Sequence, residues 1–197
     1  MGRSTTIKCL FGLLSCSAGT IEFAGQRVEN RPSYDIAQRG LGLVPEGRQV
    51  FPNLTVEENL VATAREKAAE GLRAWSLDRV YAFFPRLKER RGNLGSQLSG
   101  GELQMLAIGR ALMTNPRLMV LDEATEGLAP LIRAEIWHAL SELKSEGLSL
   151  IVIDKNLGPL LELADRHVVI EKGKVVWSGT SGELRANQSI VHEYLGV

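Results

Sequence analysis

Apolar and polar positions along the chain fall into two rhythms that alternate. Ile7, Leu10, Phe11 and Leu14 recur at i, i+3, i+4 and i+7, which predicts a helix over 4–14 with one buried face. Short apolar runs at 20–23 and 41–44 predict strands, the first turned by Ala24-Gly25-Gln26 and the second halted by Pro45. The pattern then becomes helical. Thr55-Val56-Glu57-Glu58 has the form of a capping box and opens a helix-forming stretch through Glu70, and 76–84 and 102–113 add two helices ended by Pro85 and Asn115-Pro116. Beyond Pro116 strands at 118–121 and 148–153 alternate with helices at 131–145 and 157–164, before a hairpin of 167–171 and 174–177 joined by Lys172-Gly173. Apolar strands separated by amphipathic helices imply right-handed crossovers, hence an α/β fold with a mostly parallel sheet covered by helices on both faces. Residues 46–115 read as an α-helical subdomain inserted between the halves, 1–45 and 116–197, of one α/β core.

Composition narrows the function classes. At 197 residues the chain suits one well-buried domain. Lys plus Arg and Asp plus Glu both number 23, and no basic stripe interrupts that balance, so no nucleic acid is expected as a primary partner. Cys9 and Cys16 are the only two cysteines and are expected to be reduced, cytosolic thiols. No apolar run approaches the roughly 18 residues of a membrane span, so a membrane role would come through docking onto another subunit.

Three segments carry chemistry. Ser99-Gly100-Gly101-Glu102 opens a helix, and Ser99 with Glu102 is by itself a capping box. That reading leaves the two glycines unexplained, whereas close approach of an anion to the main chain at a helix N-terminus would use them. Asp122 and Glu123 end an apolar strand at the edge of a parallel sheet where α/β proteins place ligands; two adjacent acids there also suit a plain helix N-cap. Gly2-Arg3-Ser4-Thr5 matches the end of the phosphate-binding pattern G-x-x-x-x-G-K-[ST]. Arg3 stands in place of the lysine, and its planar fork does not reproduce a compact ammonium. Read alone, Ser4 or Thr5 is an ordinary N-cap. Glu46 and Lys155, each just beyond a strand, have an ordinary reading as solvated loop charges.

Together the Leu98-Ser99-Gly100-Gly101-Glu102 turn and the Leu118-Met119-Val120-Leu121-Asp122-Glu123 strand resemble the signature and Walker B segments of ABC-type ATPases, a P-loop NTPase class. The Val44-Pro45-Glu46-Gly47-Arg48 run, the 51–60 segment Phe-Pro-Asn-Leu-Thr-Val-Glu-Glu-Asn-Leu, and Gly127-Leu128-Ala129-Pro130 are similar to the ATP-binding subunits of bacterial branched-chain amino acid importers. This resemblance runs from Gly2 to Val197. It implies ATP and Mg²⁺ as cofactors. Gly2, Arg3, Ser4 and Thr5, with Ser99, Gly100, Gly101 and Glu102 of a facing subunit, would hold nucleotide. Ser4, Asp122 and Glu46 would serve the metal, Glu123 would be the base, and Glu46 and Lys155 stand where the family has its Q-loop glutamine and switch histidine. Lys155 would neutralise a phosphate charge but could not cycle protons as histidine does. The segment 124–130 resembles the D-loop that crosses the dimer seam, although Gly127 and Pro130 alone would only make a turn.

Implied partners are a second ABC ATPase subunit, in a homo- or heterodimer, a pair of membrane permease subunits, and indirectly a periplasmic binding protein. The implied place is cytoplasmic, peripheral at the inner face of the plasma membrane. The resemblance starts inside the Walker A loop, so the leading strands and the adenine-stacking aromatic are expected to be missing and ATP binding and hydrolysis to be impaired. The alternative is a non-catalytic partner or degraded copy. A soluble ABC ATPase without a permease is a third reading, against which the Glu46 loop argues.

Overall fold

The computed structural model describes residues 2–66, 68, 71–190 and 194, with the side chains of Arg3 and Gln188 left out. Two units emerge, one of residues 37–155 and the other of 1–36 and 156–197.

The 37–155 unit is built on three parallel strands in the order β3 (Leu41–Val44), β4 (Leu118–Asp122), β5 (Ser149–Ile153). Leu41 is level with Leu118 and Leu118 with Ser149, so all three strands end at one carboxyl edge. β4, the central strand, is buried from Met119 to Asp122, as a continuous apolar run in a parallel sheet should be. Between β3 and β4 the described chain is helical: α3 (Val56–Val61), α4 (Leu77–Phe83), α5 (Pro85–Glu89), a 3₁₀ turn at Gly95–Gln97, and α6 (Gly100–Met113). α6 packs on β3, α3, α4 and α5. Met105, Leu106, Ile108 and Leu112 are fully buried on it, and Gly109 admits Leu60 and Val80 so closely that a Cβ would lie 2.9 Å from Leu60. α7 (Pro130–Ser145) connects β4 to β5.

Thr55 and Ser99 cap α3 and α6 through complete capping boxes, so local sequence fixes both starts. α3 is shorter than the stretch expected through Glu70; Ala62 caps it, and residues 67, 69 and 70 lie outside the described set. Pro85 ends α4 as expected but also opens α5, since proline at the first helical turn forfeits no hydrogen bond.

The other unit contains α1 (Arg3–Leu10), the short antiparallel pair β1 (Glu22–Phe23) and β2 (Gln26–Arg27), α2 (Ser33–Gln38, which runs on into the first unit), α8 (Leu157–Leu163), the hairpin β6 (Arg166–Glu171) and β7 (Lys174–Thr180), α9 (Ser181–Ala186) and α10 (Gln188–Ile190). Lys172 and Gly173 both take positive φ, the conformation of a two-residue hairpin turn matched to strand twist. α1 ends four residues before the expected Leu14. Gly12 turns left-handed at φ +63°, and a Cβ there would strike the Arg31 carbonyl oxygen. Ile7 and Phe11 are buried as the pattern requires, while Leu14 is exposed.

Candidate functional site

The carboxyl edge of β3–β4–β5 gathers four of the residues marked in the sequence. β4 delivers Asp122 as its last residue, 9% exposed, and Glu123 directly after it. The Glu123 amide donates to the Ile153 carbonyl of β5 at 2.8 Å, extending the ladder by one bond, yet its φ is +54°. A left-handed glutamate costs roughly 1 kcal/mol against an ordinary conformation, so the surrounding contacts must enforce it. Lys155, two residues past β5, places its Nζ 2.5 Å from Glu126 Oε1 and 3.9 Å from Glu123 Oε1. Glu46, two residues past β3, is exposed, and its charge acts on Glu123.

The electrostatics of this group are uneven. A hydrogen bond with Glu126, then burial, then the Glu126 charge push the Glu123 carboxyl above the ordinary carboxylate range; Lys155 opposes this and Glu46 adds to it. Glu126 is held below that range by the same Glu123 bond and by Lys155. The bond between the two carboxyls thus acts in opposite directions on them, and Glu126 is the one that faces the Lys155 ammonium most closely. Lys155 is 64% exposed, so its ion pairs organise the site more than they stabilise the fold.

Longer-range bonds fix the loop after Glu123. Thr125 donates both its amide, at 2.9 Å, and its hydroxyl, at 2.6 Å, to Asp154 Oδ2 beyond β5. Arg48, beyond β3, donates to the Glu126 carbonyl and to Gln104 of α6, each at 3.3 Å. Glu126, Asp154, Arg48 and Gln104 were not marked as site residues by sequence. No periodicity singles them out, although Arg48 and Asp154 sit beside Glu46 and Lys155 in the same loops.

The start of α6 lies in the same unit. Ser99 Oγ accepts the Glu102 amide at 3.3 Å, and Glu102 Oε2 accepts the Ser99 amide at 2.8 Å. Burial works to raise the Glu102 carboxyl, but the Ser99 bonds and Arg90, 3.3 Å away, prevail and lower it. Ser99 is exposed and Gly100 half-buried. Gly101 is buried, and a Cβ there would lie 2.7 Å from Ile132 Cγ2, so packing on α7 is itself a reason for glycine.

In the other unit Gly2, at φ +112°, is the N-cap of α1 and makes no side-chain cap bond. Ser4 and Thr5 lie inside the helix with exposed side chains, so neither is the N-cap that the plain reading allowed. Thr6 returns its amide and hydroxyl to the Gly2 carbonyl at 3.0 and 2.9 Å. The Arg3 side chain lies outside the described residues. Among the described residues no three His, Cys, Asp or Glu form a group able to hold a metal. An acceptor-only Asp122 at a strand end still fits Mg²⁺, which is commonly bound through one or two carboxylates plus substrate phosphates.

The ABC transporter family pattern matches residues 1–126. The chain belongs to that family and is an ABC-type ATPase with the α/β architecture of P-loop NTPases. It is 40% identical over 99% of its length to the high-affinity branched-chain amino acid transport ATP-binding protein BraG of Pseudomonas aeruginosa, covering 83% of that protein. It is 30% identical to the probable branched-chain amino acid transport ATP-binding protein LivF of Archaeoglobus fulgidus, over 100% of this chain and 83% of that one. The lipopolysaccharide export system ATP-binding protein LptB of Haemophilus influenzae is 31% identical, over 99% and 81%. Among solved structures, a nucleotide-free ATP-binding cassette from an ABC transporter superposes with a TM-score of 0.80 at 25% identity, over 94% of this chain and 79% of that one.

Proposed function

We propose that the chain is the ATP-binding subunit that energises import of branched-chain amino acids through a membrane permease. The observation that carries the ATPase chemistry is the group at the carboxyl edge of β4: Asp122, a left-handed Glu123, and Lys155 beside it. The cargo is supported by likeness to BraG over nearly the whole chain, at higher identity than to LptB. In this reading 1–197 is a single ABC ATPase domain, with 46–115 as its helical subdomain and signature.

When bound, Mg²⁺-ATP supplies the phosphoanhydride to be cleaved and the metal's positive charge. Asp122 would offer a bound metal its carboxylate oxygens, with Glu46 as a further oxygen donor, and family likeness alone would give the Ser4 hydroxyl the same task. Glu123 orients the attacking water and accepts its proton, and its raised carboxyl suits it to that role. Lys155 keeps a cation at this edge, and its charge works to lower the Glu123 carboxyl. Gly2, Arg3, Ser4 and Thr5 present the start of α1 to phosphate, where the helix dipole favours an anion. Ser99, Gly100, Gly101 and Glu102 form the turn offered to nucleotide on a second ABC subunit.

In this reading the chain works from the cytoplasmic side, docked on permease subunits fed by a periplasmic binding protein; no described helix is long and apolar enough to cross a membrane. Reconstitution with its permease in proteoliposomes tests the cargo. Binding protein charged with leucine, isoleucine or valine should stimulate ATP hydrolysis several-fold. Hydrolysis indifferent to these amino acids would overturn the cargo.

A further inference from the structure

We infer that Arg48 is a positioning residue for ATP hydrolysis, its guanidinium fastening the start of α6 to the loop that follows Glu123; this rests on the ATPase reading above. Gly47, Arg48 and Gln49 are three consecutive left-handed residues, at φ +75°, +65° and +41°, and two of them carry side chains. Such a backbone persists only where neighbours hold it. α6 does so from one side: Arg110 Nη1 donates to the Gln49 carbonyl at 2.7 Å, and its guanidinium lies 4.4 Å from the centre of the Phe51 ring. Asn59 of α3 holds Phe51 from the other, bonding its amide and its carbonyl at 2.9 Å each.

This anchored loop aims Arg48 at two elements. Nε donates to Gln104 Oε1 in the second turn of α6, and Nη2 donates to the Glu126 carbonyl, both at 3.3 Å. Nη1 lies over Gly100, where a Cβ would come within 3.2 Å of it. A planar fork serves separated acceptors at fixed angles, and a lysine ammonium on a flexible stem does not. The segment 124–128 is thereby tied on both sides, to β5 through Asp154 and Lys155 and to α6 through Arg48. Glu123 sits three residues before the tied carbonyl. Its placement, and so the spacing between the base and the Ser99-Gly100 turn, depends on that tie.

The test uses the whole protein carrying Arg48→Gln or Arg48→Lys, beside Glu123→Gln. Amide exchange over 124–128 should quicken in both Arg48 variants. At saturating MgATP kcat should fall roughly tenfold, as a small misplacement of a catalytic group allows, with KM within about twofold and an unchanged melting midpoint. The lysine variant keeps charge and stem, which guards against mere misfolding, and it should not rescue turnover. Unchanged exchange, full kcat in Arg48→Lys, or a rise in KM alone would overturn the inference. Wild-type turnover in Glu123→Gln would instead remove Glu123 as the base, while the exchange data would still judge the fastening.

Discussion

The start of α6 and the exit of β4 lie in one unit and supply two halves of the proposed chemistry, yet they are held in opposite ways. Ser99 and Glu102 satisfy each other within four residues, in relaxed backbone, by a rule that operates in any helix. Glu123 is left-handed, and its loop is fixed by Ile153, Asp154, Lys155 and Arg48, which lie 29 to 78 residues from their partners wherever side chains take part. A group that must hold a working geometry is thus imposed by the assembled sheet edge, whereas the turn that faces outward can form before the sheet does. Strain of this kind marks sites where tertiary structure overrides local preference.

Substitutions can break this contrast. Gly101→Ala should cause the largest loss of stability, about 2 kcal/mol, because its Cβ would press within 2.7 Å of the half-buried, β-branched Ile132; urea unfolding measures it. Glu123→Gly should do the reverse and raise the unfolding free energy by roughly 0.5–1 kcal/mol, since glycine adopts φ +54° without penalty. Glu123→Gln keeps the backbone cost and should bring no such gain. If Glu123→Gly is instead destabilising, the strain assigned to the β4 exit is wrong.

The smallest effect concerns the locally encoded caps. Glu58 and Glu183 accept the Thr55 and Thr180 amides, and then their hydroxyls, which lowers both carboxyls from the ordinary 4.5. A folded pKa below the unfolded one gives stability that is present above pH 4.5 and is lost as pH falls through the folded value. Glu58→Gln should flatten part of that acid limb in urea titrations across this range and leave neutral-pH stability nearly unchanged. An acid limb of undiminished slope would contradict the cap assignment.

These two regions also explain what the sequence made legible. The strands at Leu41–Val44 and Leu118–Asp122, the hairpin at Lys172-Gly173 and the Thr55 and Ser99 caps follow from periods and short-range chemistry, and the fold stands as read from them. Asp122 and Glu123 are legible as residues at the carboxyl end of a parallel strand, whereas Glu46 and Lys155 stand out only through the family resemblance; the parallel registers of β3, β4 and β5 bring all four to one edge. Glu126 and Arg48 lie in segments that carry the family resemblance, but no local pattern assigns either side chain a partner; their contacts exist only once β3, β4, β5 and α6 are assembled. Gly101 was read toward a ligand, while its Ile132 neighbour, 31 positions away, gives it a packing reason that no window of sequence displays.

ATP hydrolysis at saturating Mg²⁺ by wild type and Glu123→Gln, with melting midpoints matched, tests the central claim most directly. Loss of a positioned general base predicts a fall in kcat of about 100-fold or more. Turnover within about threefold of wild type would contradict it, and the edge of β4 would then hold no base.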